Sequence, residues 1–434
     1  MVQSQSSDVV ITGIGVVSPI GIGPDAFWQN LSEGRCGFRR SELLSYVGTP
    51  GCIGGEVSEF NDTTAKKDHL KSLRKSLKVM CREIQLGVAS AIQAMGNAGL
   101  SEGSYPPDRV GVDFGANLMS SPPEVLLGGV AKCLTERNGT ECFDFSKWGE
   151  HGLSGMEPLW LLRYLPNMPG CHIGIALQAC GPNNSITHDE ASGGLAINEA
   201  ANIIRRGRAD VMITGTTGTR WHVVKAAQHQ KWDALADGAA GEHCRPFDRD
   251  RTGEFLSEAS CTLILESKAH AEARGARILA TLLGSGSACV AASDGSVNEQ
   301  KAVELAASVA MKQANVTPDQ IGHVSAAGSG HPERDLHEAR AIRQLFGSQA
   351  DKVPVTACKS YFGSAGSGSS LCELAASVLA LQHGLIPKTL NFETPDPQAP
   401  LNVVHGEHQP TDNRVFLKTS VTRMGQASAV VIGV

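Results

Sequence analysis

The sequence GPNNSITHDEASG, residues 181–193, predicts the step from strand to helix around which the chain folds. Residues 184–187 are typical of a short buried strand, and residues 188–190 (HDE) follow on a sharp turn. From residue 191 to 206 apolar side chains recur at three- and four-residue spacing, which predicts an amphipathic helix. Enzymes often present a nucleophile at such a turn, because the helix N-terminus offers unpaired N–H groups and a partial positive charge. Here the turn carries Glu190 and no cysteine or serine suited to acyl transfer.

Length and composition favour an α/β protein built as one large unit or as two domains. The 434 residues include 48 glycines and only 5% aromatic residues, which suits many tight turns. A net charge of −6 argues against general nucleic-acid binding. The twelve cysteines are scattered, with neither a CxxC pair nor a zinc-like cluster, as expected in a reducing cytosol. The N-terminus MVQSQSSD lacks a signal-peptide core, and no apolar run approaches the roughly 20 residues of a membrane span. We therefore expect a cytoplasmic protein without membrane insertion or a bound metal.

An internal repeat indicates two halves of similar order. A helix, a Pro-Asp pair, a strand and a glycine follow one another up to residue 115 and again at residues 301–328. Each set is the helix crossover of a parallel sheet. The predicted halves are residues 1–265 and 266–434. An irregular but apolar insertion at about residues 118–170 is interpreted as cover for a pocket or as a subunit interface.

Two further segments, a glycine pair near the N-terminus and a basic stretch, each have two interpretations. Gly13-Ile14-Gly15 could open a dinucleotide-binding loop, but the third glycine is missing, so a plain strand and turn is the better interpretation. A nicotinamide-dependent oxidoreductase is accordingly a remote third class. The first part of residues 65–97, predicted as one or two helices, is strongly basic. It is either a solvated helix face or a docking patch for an acidic partner.

Six segments, taken together in order and spacing, carry a specific resemblance over essentially the whole chain. They are residues 9–21 (VVITGIGVVSPIG), 165–172 (LPNMPGCH), 201–215 (ANIIRRGRADVMITG), 245–253 (RPFDRDRTG), 332–342 (PERDLHEARAI) and 359–363 (KSYFG). The chain resembles the β-ketoacyl synthases of the thiolase superfamily. This resemblance implies a thiolase-like α/β fold, with duplicated βαβ halves in α-β-α-β-α layers. The family condenses acyl groups with a cysteine nucleophile at the central helix, two histidines that assist malonyl decarboxylation, and a supporting lysine.

Carried over position by position, the family's catalytic set is mostly replaced. Glu190 occupies the nucleophile position. Ala327 and Ser364 occupy the two histidine positions, and Lys359 is the retained lysine. A carboxylate that attacked a thioester would form a high-energy anhydride, and alanine offers no hydrogen-bond donor to a developing enolate. The resemblance therefore predicts a vestigial site that does not carry out Claisen condensation.

Other residues near these positions leave alternatives open. Thr187 and Glu190 fit a capping box, whereas an enzyme with changed chemistry would use Glu190, His188 or His331 as acid or base. His331 is favoured over His337 for reaching the site. Cys180, ten residues before Glu190, is interpreted as a buried or loop thiol. In the family's glycine loop that gates the acyl pocket, this chain has Arg423 and Met424.

The leading hypothesis is a chain-length-factor-like subunit, a silent ketosynthase homologue of fatty-acid- or polyketide-type biosynthesis. By resemblance it would form a homodimer or a heterodimer with an active ketosynthase through a large apolar interface. It would need no cofactor, and the phosphopantetheine of an acyl carrier protein would be at most a transient ligand. The carrier protein would dock on the basic side chains Lys66, Lys67, Lys71, Arg74 and Lys75. The second hypothesis is an acyl-thioester enzyme with changed chemistry.

Overall fold

Twelve strands hydrogen-bond into one sheet in the computed structural model, which describes residues 8–40, 53–232, 235–236 and 243–434. In chain order the strands are β1 (Val9–Ser18), β2 (Gly21–Ile22), β3 (Val110–Ala116), β4 (Asn183–Ile186), β5 (Val211–Thr219), β6 (Glu258–Ser267), β7 (Ala280–Cys289), β8 (His323–Ser325), β9 (Pro354–Thr356), β10 (Asn402–Val403), β11 (Val415–Val421) and β12 (Gln426–Gly433). Along the sheet they run β10-β9-β8-β11-β12-β7-β1-β6-β5-β3-β4, and β2 pairs with β1. Most of the long strands are buried along nearly their whole length, because helices cover both faces of the sheet.

The α-helices of four or more residues within the described ranges alternate with these strands. They are α1 (Pro24–Ser32), α2 (Arg82–Asn97), α3 (Leu127–Ala131), α4 (Met168–Ala176), α5 (Ser192–Arg205), α6 (Val223–Lys231), α7 (Lys268–Ala273), α8 (Glu299–Ala314), α9 (Pro332–Phe346), α10 (Lys359–Phe362) and α11 (Ser367–Gln382). Shorter strands form three separate two-stranded antiparallel sheets, which pair Phe38–Arg40 with Ile53–Gly55, Leu134–Arg137 with Thr140–Phe143, and Leu385–Ile386 with Gln409–Pro410.

Two helices, α5 and α11, form the central layer of the molecule. Helix α5 contacts β3 and β5 on one side and β7 and β12 on the other, while α11 packs on β5, β6 and α5. Helix α2 covers the outer face of β1, β5 and β6, and α8 covers β7, β11 and β12. The predicted thiolase-like α/β fold in α-β-α-β-α layers is confirmed. The division of the chain at residues 265 and 266 stays a prediction.

Paired glycines let the outer helices lie close to the sheet in both halves. A Cβ atom on Gly15 would lie 2.0 Å from the Ser90 carbonyl oxygen of α2. A Cβ atom on Gly286 of β7 would lie 2.2 Å from the Ala306 carbonyl oxygen of α8. Gly13-Ile14-Gly15 is therefore a strand segment that accommodates a helix, as the strand interpretation requires, and it forms no dinucleotide-binding loop.

Two expectations about local structure are wrong. Residues 184–187 are not buried, because β4 lies at one end of the sheet and Asn183 and Asn184 are exposed. The basic segment that precedes α2 is not a regular helix: it forms a π-helical turn, Ala65–His69, and two short 3-10 turns, Lys71–Leu73 and Leu77–Val79. Lysine-rich turns that pack few apolar side chains gain little from a longer helix.

The insertion at residues 118–170 is irregular, as predicted. It consists of short 3-10 and π-helical turns, helix α3 and the hairpin of Leu134–Arg137 with Thr140–Phe143. Several of its large apolar side chains are exposed, among them Phe145 at 78% and Leu159 at 65%. Within the described residues, no helix is long and apolar enough to cross a membrane.

Candidate functional site

The turn before α5 places Glu190 in the interior of the protein. Asp189 adopts a left-handed backbone conformation with φ of 46°, and residues Asp189–Ala191 form a single 3-10 turn. The His188 amide donates a hydrogen bond to Ser192 Oγ at 2.9 Å, which closes the turn. Glu190 is 3% exposed, so its carboxylate needs a buried counter-charge. The sequence correctly predicts the turn and the position of Glu190 on it.

The capping-box prediction for Glu190 is wrong. Neither the 3-10 turn nor α5 has a side-chain cap hydrogen bond in the structure. The Glu190 carboxylate instead accepts a hydrogen bond from Arg220 at 2.6 Å. A buried carboxylate gains more from a charged donor than from a backbone amide, and this preference overrides the local Thr-x-x-Glu pattern.

Four buried charges close into a ring, which we call the charge ring: Glu190, Arg220, Glu254 and Arg334. Arg220, directly after β5, bonds Glu190 at 2.6 Å and Glu254 at 3.1 Å. Arg334, in the first turn of α9, lies 2.6 Å from Glu254 and 4.0 Å from Glu190. Each carboxylate therefore lies between two guanidinium groups, and the ring as a whole is neutral. Free space within the ring is a cavity of only about 10 Å³.

Arg220 also joins the nucleophile position to the second histidine position. Its Nη1 atom donates a hydrogen bond to Ser364 Oγ at 2.5 Å, and Nη2 contacts Asp189 Oδ2 at 2.7 Å. Burial alone would raise the pKa of Glu190, but Arg220 and Arg334 outweigh it, and the pKa lies well below its usual range. Glu190 is thus an ion-paired carboxylate, which makes it a poor general base.

Lys359 and Ala327 lie together, as their family positions imply. Lys359 Nζ donates a hydrogen bond to the Ala327 carbonyl oxygen at 2.6 Å and forms an ion pair with Glu373. Lys418 contacts the other oxygen of Glu373 at 2.6 Å. Burial disfavours the charged lysine, yet Glu373 raises the pKa of Lys359 above its usual value. The retained lysine therefore supports the loop at Ala327, and Ala327 itself presents only a methyl group.

An open cavity of about 510 Å³ lies beside the charge ring. Arg220, Asp189 and Arg423 are among its lining residues. The two residues at the family's gate position, Arg423 and Met424, have different surroundings. The Arg423 guanidinium lies 4.4 Å from the centre of the Trp232 ring, whereas Met424 is 64% exposed. An arginine stacked on tryptophan is held at the cavity wall by a cation–π contact.

The remaining sequence candidates are spread over the molecule. Cys180 is exposed, which excludes the buried alternative for this thiol. His331 caps α9, because its Nδ1 accepts from the Glu333 and Arg334 amides, whereas exposed His188 lines the large cavity. Lys66, Lys67, Lys71, Arg74 and Lys75 are all exposed. In the described part of the chain no cluster of side chains could hold a metal ion.

Sequence reasoning misses three members of the charge ring, Arg220, Glu254 and Arg334. A weak signal exists in the segments that the sequence does single out: Arg220 follows the end of a strand, Glu254 follows RPFDRDRTG, and Arg334 lies within PERDLHEARAI. Nothing local pairs them, because Arg220 is 34 positions from Glu254, and Arg334 is 80 positions from it.

Comparison with known proteins identifies the scaffold. The model of the β-ketoacyl synthase N-terminal domain matches residues 6–271, and that of the C-terminal domain matches residues 279–393. The chain belongs to the β-ketoacyl synthase family. It is 31% identical over 410 residues to 3-oxoacyl-[acyl-carrier-protein] synthase 2 of Synechocystis sp., covering 94% of this chain and 93% of that protein. Nodulation protein E of Rhizobium leguminosarum bv. trifolii is 30% identical over 433 residues, which cover 98% of both proteins.

Solved structures agree with the family assignment. The ishigamide ketosynthase/chain length factor matches with a TM-score of 0.83 at 26% identity, covering 98% of this chain and 99% of that one. A β-ketoacyl synthase from Burkholderia phymatum matches with a TM-score of 0.84 at 23% identity, covering 98% and 99%, which shows the shared fold.

Proposed function

We propose that this β-ketoacyl synthase homologue is inactive in Claisen condensation and acts as a chain-length-factor-like partner of an active ketosynthase. The observation that carries the proposal is the charge ring. Arg220 spans the nucleophile position and the second histidine position, bonding Glu190 at 2.6 Å and Ser364 at 2.5 Å. The cavity of about 10 Å³ left within the ring is too small for a thioester.

The described residues at the site also lack the catalytic groups that Claisen condensation requires. A thiolate must hold the acyl chain, and hydrogen-bond donors must stabilise the enolate formed by decarboxylation. Among the described residues that line the two cavities at the site there is no cysteine. Both histidine positions of the family lack an imidazole: Ser364 bonds Arg220, and Ala327 offers no side-chain donor. The changed-chemistry alternative is weakened in turn, because Glu190 is ion-paired and His331 caps a helix.

Exposed apolar side chains and an open strand edge support a subunit interface. The exposed apolar side chains Phe145, Leu159 and Ile175 belong to the insertion and to α4, which follows it. Strand β4 pairs with β3 and has no second neighbour in the described sheet, so its edge is open to another strand. Exposed large apolar side chains and unpaired strand edges are both typical of surfaces that another subunit covers. We propose an active ketosynthase as the partner, in the cytoplasm.

The test is co-expression of the tagged chain with the intact ketosynthase encoded nearest to its gene, followed by size exclusion and native mass spectrometry. The expected product is a 1:1 heterodimer. A stable homodimer that never takes up the ketosynthase would contradict the partner role. Turnover of acyl or malonyl thioesters by the chain alone, abolished by Glu190→Gln in a variant that circular dichroism shows to be folded, would establish the changed-chemistry enzyme instead.

Phe145→Asp and Ile175→Asp are expected to weaken this assembly at least about tenfold each, because a charge would be buried against an apolar surface. The checking measurement is the dissociation constant by mass photometry or sedimentation. Leu305→Asp is the matched control, since Leu305 is an exposed leucine on α8, in the outer layer of the other half. Equal weakening by the control would show a general loss of stability.

The basic segment supports docking of an acidic acyl carrier protein, whose phosphopantetheine would be a transient ligand. The triple charge reversal Lys66→Glu/Lys67→Glu/Lys71→Glu is expected to weaken carrier-protein binding about tenfold or more at low salt and to flatten its salt dependence. These lysines are exposed, and none has a salt bridge within the described residues. Surface plasmon resonance against salt concentration measures both effects. The exposed triple Lys268→Glu/Lys312→Glu/Lys352→Glu has the same net charge and should bind normally if docking is local.

A further inference from the structure

The hairpin formed by residues 134–143 of the insertion presents one of its two faces to solvent. Successive side chains of a strand point to opposite faces, so alternate residues share a face. Thr135 and Cys142 are half-buried and mark the inner face. Leu134 and Phe143, which pair across the strands, are 37% and 44% exposed and mark the outer face. The outer hairpin face therefore consists of Leu134, Glu136, Glu141 and Phe143.

Two like charges oppose each other on the outer hairpin face. Glu136 pairs directly with Glu141 across the strands, and both side chains are exposed. Directly opposed side chains have Cβ atoms about 4.5–5.5 Å apart, and like charges at that spacing destabilise a hairpin. The neighbouring Arg137 pairs with Asp144 at 3.5 Å, and within the described residues neither glutamate has a salt bridge. The chain itself therefore leaves this carboxylate pair without a counter-charge.

An aromatic cluster adjoins the two glutamates. The centre of the Phe143 ring lies 6.3 Å from that of Phe145 and 6.1 Å from that of Trp148. Phe145 is 78% exposed, so this cluster is open to a partner. Two carboxylates beside aromatic rings fit a guanidinium, because its planar fork can bond both carboxylates and its face stacks on a ring. A lysine ammonium is a compact, strongly hydrated charge that matches this geometry less well.

The charge of the insertion restricts what can cover this face. Residues 124–157 contain six acidic side chains and three lysines or arginines. Such a surface repels an acidic carrier protein and an anionic lipid surface, whereas a basic protein surface complements it. Phe145 is one of the side chains proposed above for the subunit interface, and its ring contact with Phe143 makes the outer hairpin face continuous with that interface.

We propose that the outer hairpin face binds an arginine side chain of the partner ketosynthase, its guanidinium held between Glu136 and Glu141 and against the Phe143 ring. This inference rests on the partner role proposed above and names the chemistry of one contact within it. The arginine neutralises the opposed carboxylates, so the repulsion that the isolated chain retains is relieved only on assembly.

Glu136→Gln/Glu141→Gln is expected to weaken the complex with the co-expressed ketosynthase at least about tenfold and to flatten its salt dependence, because charge-assisted hydrogen bonds are lost. Sedimentation at low and high salt measures both effects. Glu272→Gln/Glu407→Gln is the matched control, since it removes two exposed carboxylates from the C-terminal half and should bind normally. The melting temperature of the hairpin variant should be unchanged or higher, because the glutamate repulsion is removed.

The outcomes distinguish this contact from the partner role itself. Normal binding by the hairpin variant, or equal weakening by the control, would overturn the arginine contact and leave the partner role intact. If the unmodified chain never binds the ketosynthase, the partner role fails, and the contact fails with it.

Chemical modification of the ketosynthase tests the other side of the contact. Treatment with phenylglyoxal, which modifies arginine, should weaken binding to the unmodified chain more than binding to Glu136→Gln/Glu141→Gln, because that variant no longer holds the guanidinium. Equal losses for both chains would overturn the proposal. A difference that appears only after acetylation of the ketosynthase lysines would overturn the choice of arginine.

Discussion

Glu190→Ala is expected to lower the free energy of unfolding by about 3–5 kcal/mol, because it leaves Arg220 without its nearest buried counter-charge. Arg220 is 3% exposed and bonds Glu190 at 2.6 Å, so water cannot replace the lost carboxylate without opening the site. Arg334, 4.0 Å from the same carboxylate, loses part of its neutralisation as well. Urea unfolding followed by circular dichroism measures the loss.

Two comparisons separate the charge effect from general damage. Glu199→Ala removes a carboxylate from α5 that pairs with Arg206 at the surface, and its expected cost is below about 1 kcal/mol. The double change Glu190→Met/Arg220→Met removes both members of the closest pair and should recover much of the loss. A single-variant cost below about 1 kcal/mol, or no recovery in the double variant, would contradict the structural role of the ring.

The pH dependence gives a further check on the same variant. The folded-state pKa of Glu190 lies below its usual value, so its stabilising contribution is present above that usual value. The contribution is lost as the pH falls from the usual range of a glutamate toward the folded-state pKa. The stability difference between the unmodified chain and Glu190→Ala should therefore shrink on acidification below about pH 4.3.

The sequence predicts those parts of the fold that rest on local patterns. The turn at residues 188–190, the helix after it and the repeat of helix, Pro-Asp pair and strand are all readable from spacing. The edge position of β4 is not, because a four-residue strand of mixed polarity has no period that distinguishes an edge from a centre. The same limit applies to the exposed face of the insertion, whose apolar residues suit a pocket as well as an interface.

The sequence predicts which residues belong to the candidate site, but it does not predict which side chains contact one another there. Family resemblance assigns Glu190, Ala327, Ser364 and Lys359 to the site, and in the structure Arg220 bonds Glu190 and Ser364 while Lys359 bonds the Ala327 carbonyl. The partner of Glu190 could not be predicted, since Arg220 lies 30 positions away and enters from the end of another strand. A capping box can be predicted from residues three positions apart, whereas a buried ion pair depends on the tertiary fold.

The charge ring also limits how much condensation activity a cysteine restored at position 190 can recover. Glu190→Cys is expected to leave condensation at least about 10⁴-fold below that of an active ketosynthase in the same assay, since both family histidines that donate to the enolate are replaced. Ala327 has no side-chain donor, and Ser364 accepts from Arg220. A cysteine at position 190 would nevertheless lie beside Arg220, which lowers a thiol pKa. Cysteine is smaller than glutamate and so opens space at position 190 that the unmodified charge ring lacks. We therefore expect acylation by an acyl thioester, seen as a mass shift, without a condensation product, and Glu190→Ser should show neither.

Removal of Arg220 is expected to be the further substitution with the largest effect on activity. The triple variant Glu190→Cys/Ala327→His/Ser364→His restores the three family side chains but keeps Arg220 against position 364. Adding Arg220→Ala should raise malonyl decarboxylation at least about tenfold over the triple variant, because it frees the second histidine to donate to the enolate. Removal of Glu190 together with Arg220 leaves Glu254 paired with Arg334 at 2.6 Å, so the remaining charges of the ring stay balanced. Carbon dioxide release from malonyl-pantetheine measures the effect, and equal rates for the triple and quadruple variants would show that Arg220 does not block the site.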